Sequence, residues 1–141
     1  MGSVGRPPWD EIWMSCAQSI ARRSYDPRHQ VGAVIVTKEN TQVLAVGYNG
    51  NYSGGPNEVE STVPGESGMI HAEINALLKC DYNLPSKKIM YVTLSPCRMC
   101  AKAMVNGGIA EVIYDVEYRD TSGLDLLSKA GVEVRRYSYK K

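Results

Sequence analysis

The sequence predicts an α/β protein of three layers, with helices on both faces of a five-stranded mixed sheet. Three observations lead there. Two nearly continuous apolar runs, residues 31–37 and 42–48, flank a four-residue connection, 38–41, the pattern of a β-hairpin. From residue 88 onward, β-branched runs alternate with segments of helical period, as parallel β-α-β crossovers do. The chain has 141 residues, a length suited to one domain, 1–141, with a single core.

Pro7 and Pro8 precede a stripe of Trp9, Ile12, Trp13, Cys16, Ala17, Ile20 and Ala21 at three- and four-residue spacing, which predicts an amphipathic helix. Pro8 suits a first-turn position, and Asp10 and Glu11 suit the positive end of its dipole. Its two Trp fit against the sheet or against a neighbouring subunit. Asp26 before Pro27 is biased away from helical dihedrals, so the helix ends upstream of it. The two hairpin strands are almost wholly apolar, which predicts a sheet covered on both faces.

Residues 49–68 form a long stretch rich in Gly, Asn, Ser and Pro. Loops of about 20 residues inside compact domains are commonly functional. It leads into a helical run, 72–79, with Ile74, Leu77 and Leu78 as the apolar face. Residues 88–94 read as the third strand and 97–106 as a helix closed by Gly107 and Gly108. Residues 109–114 follow as the fourth strand, 121–129 as a helix ended by Gly131, and 132–137 as the last strand.

The net charge is +1, so no chain-wide basic field marks a nucleic-acid partner. No apolar run approaches the ~20 residues of a membrane span. The N-terminus, Met1 to Arg6, has neither the Ser/Thr of a myristoylation signal at position 6 nor an apolar signal core. Of the four cysteines, Cys16 and Cys80 sit in apolar helical patterns and read as small buried hydrophobes. With the other two in a metal-type motif, no disulfide framework remains, and a reduced, cytoplasmic setting is expected.

The chemistry concentrates in His71-Ala72-Glu73 and Pro96-Cys97-Arg98-Met99-Cys100. One imidazole and two thiolates supply three ligands and leave the fourth position of a tetrahedral zinc open, the catalytic rather than the structural arrangement. His71 and Cys97 each open a helix, so two positive dipole ends face the metal and favour thiolates at Cys97 and Cys100. The i, i+3 spacing lets both sulfurs converge from one turn. Glu73, two residues from His71, is placed to carry protons rather than to bind metal. A closed zinc knuckle lacks a fourth ligand, since His29 lies far upstream in a turn-like segment.

The H-x-E…P-C-x-x-C pattern is that of the zinc deaminases, and the chain resembles the cytidine deaminase-like superfamily. Within it, Gly47-Tyr48-Asn49-Gly50 and Tyr118-Arg119-Asp120 resemble the deoxycytidylate (dCMP) deaminases. The resemblance runs from about residue 22 to 137, through Arg23-Ser24, Asp26-Pro27, 31–36, 71–75, 96–102, Gly108-Ile109 and Gly123-Leu124. It implies a zinc-dependent hydrolase that converts dCMP to dUMP and ammonia, with Glu73 as the proton carrier. It also implies that the Ala72 backbone and the carbonyl near Ser95 orient the base and that Asn49 holds the sugar. A turn asparagine in the left-handed region is the plainer reading of Asn49. Ser24, Tyr118 and Arg119 are the phosphate candidates, Arg119 because its fork suits phosphate; a solvated surface charge is its plainer reading.

Many dCMP deaminases are hexamers raised in activity by dCTP and lowered by dTTP. The resemblance therefore implies a homo-oligomer, with an effector site along Gly47, Tyr48, Gly50 and Asn51. Mg2+ would accompany the bound nucleoside triphosphate. Some relatives carry a second, structural zinc built from Cys and His in the loop before H-A-E. Residues 51–70 contain neither, which leaves one Zn2+ per chain. The usual Pro-rich, Asp-containing continuation after Gly-Tyr-Asn-Gly is here Asn51 to Glu58. A tRNA adenosine deaminase shares the zinc motif, but the near-neutral charge and lack of a basic tail speak against it. Free-nucleoside cytidine deaminases typically present Cys where His71 stands. A zinc-stabilised binding module that has lost catalysis has no need of Glu73.

Overall fold

The structure is a computed structural model that describes residues 5–138; the reading of the N-terminus rests partly on residues 1–4, outside that range. The elements are α1 (Trp9–Ala21), β1 (Gly32–Thr37), β2 (Val43–Tyr48), α2 (Ala72–Lys79), β3 (Lys88–Leu94), α3 (Arg98–Asn106), β4 (Ile109–Val116), α4 (Ser122–Lys129) and β5 (Glu133–Arg136). The strand order is β2-β1-β3-β4-β5. β1 runs antiparallel to both β2 and β3, and β3, β4 and β5 are parallel. The predicted mixed sheet is therefore present, with the hairpin joined to the parallel set through β1.

Alternation of side chains along the strands separates two cores. On one face, Met14 and Ala17 of α1 pack on Val34, Val36, Ile89, Tyr91 and Ile113. On the other, α2, α3 and α4 bring residues such as Ala76, Met104 and Leu127 onto Ile35, Met90 and Val112. Ala72, Ala76, Ala101 and Ala17 are all fully buried. Small side chains at these contacts set the helices close to the sheet, so the ends of α2 and α3 are held rigidly where the strands stop. Gly108 and Gly131 take φ of +85° and +89° just past α3 and α4, the left-handed turns expected there.

Two expectations need correction, for β2 and for the two helical cysteines. β1 is buried at every position, but β2 is an edge strand of mixed burial, with Val43 45% exposed. Only a central strand has both faces covered and neighbours on both sides; apolar composition alone does not reveal which strand that is. The Trp stripe also divides: Trp9 is exposed and stacks on Trp13 at 5.4 Å, while the Trp13 indole donates to Asn40 Oδ1 at 3.1 Å. Cys16 and Cys80 are half-buried rather than buried, because Cys80 is the C-cap residue after α2 and Cys16 lies on the flank of α1.

A polar clasp ties α1 to the far edge of the sheet. Arg135 on β5 donates to both Asp10 carboxylate oxygens, at 2.7 and 3.2 Å, and to Glu111 at 3.0 Å. The Tyr91 hydroxyl donates to Asp10 at 2.7 Å. The Arg135 hydrogen bond holds the Asp10 carboxyl below the usual carboxylate range, against some opposition from burial. A carboxyl with a lowered folded pKa adds stability that is complete above its unfolded value and lost as pH falls through the folded one. Asp10→Asn is therefore expected to lower stability by roughly 1 kcal/mol at pH 7, after allowance for solvent screening. Urea midpoints of wild type and variant should converge as pH falls through the lowered folded value of Asp10; a gap that persists in acid would refute the ionic role.

Candidate metal centre and active site

His71 is the N-cap residue of α2, and its carbonyl accepts the Asn75 N–H at 3.0 Å. The residue before it, Ile70, pairs with Gly50 through two backbone hydrogen bonds of 2.8 and 3.0 Å. Asn75 fastens the same turn from within the helix, donating to Tyr48 O at 2.8 Å and more weakly to Ile70 O at 3.4 Å. The long loop thus ends at a fixed point at the tip of β2. Cys97 is the N-cap residue of α3, and its sulfur accepts the Cys100 N–H at 3.5 Å. Two helix N-termini meet, as the motif spacing predicts.

His71 Nδ1 lies 3.2 Å from Cys100 Sγ and 3.6 Å from Cys97 Sγ, and the three donor atoms all fall within 4.8 Å of one another. Donors bound at about 2.0 and 2.3 Å to a tetrahedral zinc stand roughly 3.5–3.8 Å apart, so this set fits the ion. Burial falls from Cys100 through half-buried Cys97 to exposed His71. The His71 side of the donor cluster therefore faces solvent.

The protons on these groups fit the same conclusion. Hydrogen bonds from the Cys100 side chain, then from His71, pull the Cys97 thiol down to about 4. Cys100 moves the opposite way, because it donates to Cys97 and because it is buried. His71 is raised, chiefly by its bond to Cys97. With no metal bound the two sulfurs share a proton unequally, Cys97 being the more acidic, and metal binding displaces thiol protons.

Glu73 is in the first turn of α2 and only 4% exposed. Burial pushes its carboxyl up to about 7, against the lowering effect of its own backbone hydrogen bond and of His71. A carboxyl held there can both take and give a proton near neutrality.

Glu73, His71 and Cys97 form the floor of a cleft of about 630 Å³. Its walls come from segments 26–31 and 59–69, the ends of β3 and β4, and residues 117–119. Of the sequence candidates, Asn49, Ala72, Ser95, Tyr118 and Arg119 all line it. Ser95 is buried, and its hydroxyl accepts the Tyr118 N–H at 2.7 Å, which fixes the wall carrying Arg119. Asn49 is 6% exposed; its Oδ1 accepts the Val31 N–H at 2.9 Å and its amide donates to His29 O at 2.8 Å. Asn49 is not in the left-handed region; among the described residues, Asn40 at φ 64° is the non-glycine that is.

Ser24 does not line the cleft: it is buried, and its hydroxyl accepts the Asp26 N–H at 3.2 Å. Gly47, Tyr48, Gly50 and Asn51 also lie outside the cleft. A Cβ at Gly47 would sit 2.5 Å from both Ala72 O and Ala76 N, so this glycine lets α2 rest directly on β2. Asn51 closes a local turn, accepting the Tyr52 N–H at 2.8 Å and donating to Pro56 O at 3.2 Å. The sequence reading missed Arg28, His29 and the wall formed by Val59, Thr62, Val63 and Pro64. The loop's length is the one signal that pointed toward that wall.

Residues 7–116 match the family model described as the cytidine and deoxycytidylate deaminase zinc-binding region. The match includes all three donors and Glu73. The chain belongs to the cytidine and deoxycytidylate deaminase family. It is 35% identical to human (Homo sapiens) deoxycytidylate deaminase over 145 residues, covering 92% of this chain and 79% of the human protein. It is 36% identical to the deoxycytidylate deaminase of Mycobacterium phage D29 over 129 residues, covering 81% and 99% respectively. The crystal structure of dCMP deaminase from the cyanophage S-TIM5 in complex with dCMP and dUMP superimposes with a TM-score of 0.79 at 35% identity, covering 94% of this deaminase-family chain and 99% of the phage one. The fold expected from the resemblance is that of these relatives, and the deaminase His71, Cys97 and Cys100 are positioned for the metal that the family binds.

Proposed function

We propose that this chain is a zinc-dependent deaminase that hydrolyses dCMP to dUMP and ammonia. The observation that carries the reading is the convergence of one imidazole and two sulfurs within 4.8 Å beside a buried carboxyl on the floor of one cleft. The relatives named deoxycytidylate deaminase and the related phage structure with dCMP and dUMP support the choice of substrate.

His71, Cys97 and Cys100 would hold one Zn2+ per chain, which when bound lowers the pKa of water toward 7. Glu73 takes a proton from the attacking water and delivers it to N3 of the pyrimidine. As the water oxygen bonds to C4, Glu73 takes the remaining proton from that hydroxyl and passes it to the amine. The C4–N bond breaks and ammonia leaves. One carboxyl serves both transfers because it sits between the water and the ring, within reach of each. The Ala72 backbone and the carbonyl near Ser95 orient the base, Asn49 meets the sugar, and Tyr118 and Arg119 face the phosphate. Ser24, whose hydroxyl is engaged at Asp26, supports the cleft wall instead.

The same reading includes a hexameric assembly, activation by dCTP with Mg2+, inhibition by dTTP, and a cytoplasmic location. Family membership supports each of these. Among the described residues no helix is long and apolar enough to cross a membrane. Tyr48, Gly50 and Asn51 are the residues that remain for the effector, since Gly47 is occupied by the packing of α2.

Ammonia release from deoxycytidine, dCMP, dCTP and a tRNA anticodon stem-loop tests the substrate, with dCTP and dTTP also added as effectors. dCMP is expected to be the best substrate, with about one zinc per chain by metal analysis. A preference for the RNA or for the nucleoside would overturn the dCMP assignment. Rates indifferent to both triphosphates would remove the effector site.

A further inference from the structure

β2 is an edge strand of the sheet, so half of its backbone groups have no strand to pair with. The Asn49 N–H is accepted by Val31 O at 3.2 Å, which turns odd-numbered residues here toward β1 and even-numbered ones outward. The outward carbonyls are nonetheless taken, one after another. Val46 O accepts a bond from Lys79 Nζ at 3.2 Å, Tyr48 O one from Asn75 Nδ2 at 2.8 Å, and Gly50 O one from the Ile70 N–H at 2.8 Å. Asn75 and Lys79 are four apart on one face of α2. Four helical residues rise about 6 Å and two strand residues span roughly 6.8 Å, so the spacing of the two donors matches that of alternate carbonyls.

The contact beneath these bonds is smooth. A Cβ at Gly47 would strike Ala72 O and Ala76 N, and both alanines are fully buried. Apolar surfaces attract without direction, so they hold α2 close but do not fix how far along the strand it sits. Directional hydrogen bonds do that. Asn75 makes the stiffer of the two. It is short and half-buried, it also donates to Ile70 O at 3.4 Å, and its backbone N–H is accepted by His71 O at 3.0 Å. Lys79 is exposed, and the rotamer freedom of its long stem weakens its hold.

Asn75 lies one helical turn from His71 and two residues from Glu73, whereas the two sulfurs come from the start of α3. Resting on the deaminase reading above, we infer that Asn75 is a positioning residue of the reaction. It fixes α2 along β2 and so keeps Glu73 and His71 in register with Cys97 and Cys100. Lys79 covers the same strand edge one turn further from the metal site and contributes little to that register.

The experiment compares zinc-loaded wild type, Asn75→Ala and Lys79→Met in kcat and KM for dCMP and in the rate of zinc release to a chelator. Asn75→Ala is expected to lower kcat about tenfold to a hundredfold, to leave KM within about twofold, and to release zinc about tenfold faster. Lys79→Met should stay within about twofold of wild type in all three. A wild-type kcat in Asn75→Ala overturns the proposal. So does an equal loss in Lys79→Met, since a mere clamp of the fold would feel either bond. A loss confined to KM overturns it too, by placing Asn75 in substrate binding. If Asn75→Ala does not fold, Asn75→Asp, which keeps the shape without the donor, is judged by the same criteria. If neither folds, Asn75 belongs to the fold and not to the site, which also overturns the proposal. If wild type releases no ammonia, the deaminase reading fails separately. Zinc release then tests Asn75, and equal rates from wild type and Asn75→Ala would overturn its role.

Discussion

Glu73→Gln is expected to leave the chain folded and zinc-loaded while lowering ammonia release from dCMP by about a hundred- to ten-thousandfold. Gln keeps the shape of the side chain, which is buried in the first turn of α2. It carries no proton that can be lost and regained, and Glu73 is assigned both transfers. The donors of the metal site are untouched, because Glu73 is not among the three that converge. Metal analysis and turnover on the same preparation check this. Substantial activity in the variant would mean that another group moves the protons, and loss of the zinc would mean that Glu73 supports the site itself.

Gly123→Ala is expected to act on stability and metal together. A Cβ there would lie 2.2 Å from Pro96 O, 2.9 Å from the Cys97 carbonyl carbon and 3.0 Å from its oxygen. All three are backbone atoms, so no side chain can swing aside; α4 must move away, or the segment carrying Cys97 must. Overpacking of this kind costs about 1–3 kcal/mol. Here the atoms displaced belong to the residue whose sulfur meets His71 Nδ1 at 3.6 Å. We expect a fall in thermal midpoint and faster zinc loss to a chelator. A variant that melts lower yet resists the chelator like wild type would show that the metal site is insulated from α4.

Much of this molecule is legible in the amino-acid order because its signals are local. The period of the apolar residues marks each helix and strand, and the spacing of His71, Cys97 and Cys100 marks the metal site. What escapes sequence reading depends on partners far along the chain. The edge position of β2 follows from strand order, and its apolar composition resembles that of central β1. The two sulfurs differ in acidity because Cys100 donates to Cys97, a contact that motif spacing alone does not reveal. His29 looks like a turn residue until Tyr118, from a different segment, is set opposite it. Ser24 reads as a ligand until its hydroxyl is seen to serve the Asp26 turn.

The Asp10–Arg135 clasp has a bearing on synthesis. The two residues are 125 positions apart, so α1 emerges from the ribosome long before the strand that secures it has been made. Until then the apolar stripe of Met14 and Ala17 can dock on β1 but cannot be latched, and contacts of such long sequence separation form slowly. A nascent chain stalled before β5 would therefore expose an incompletely secured sheet face, the kind of surface on which partly made proteins aggregate.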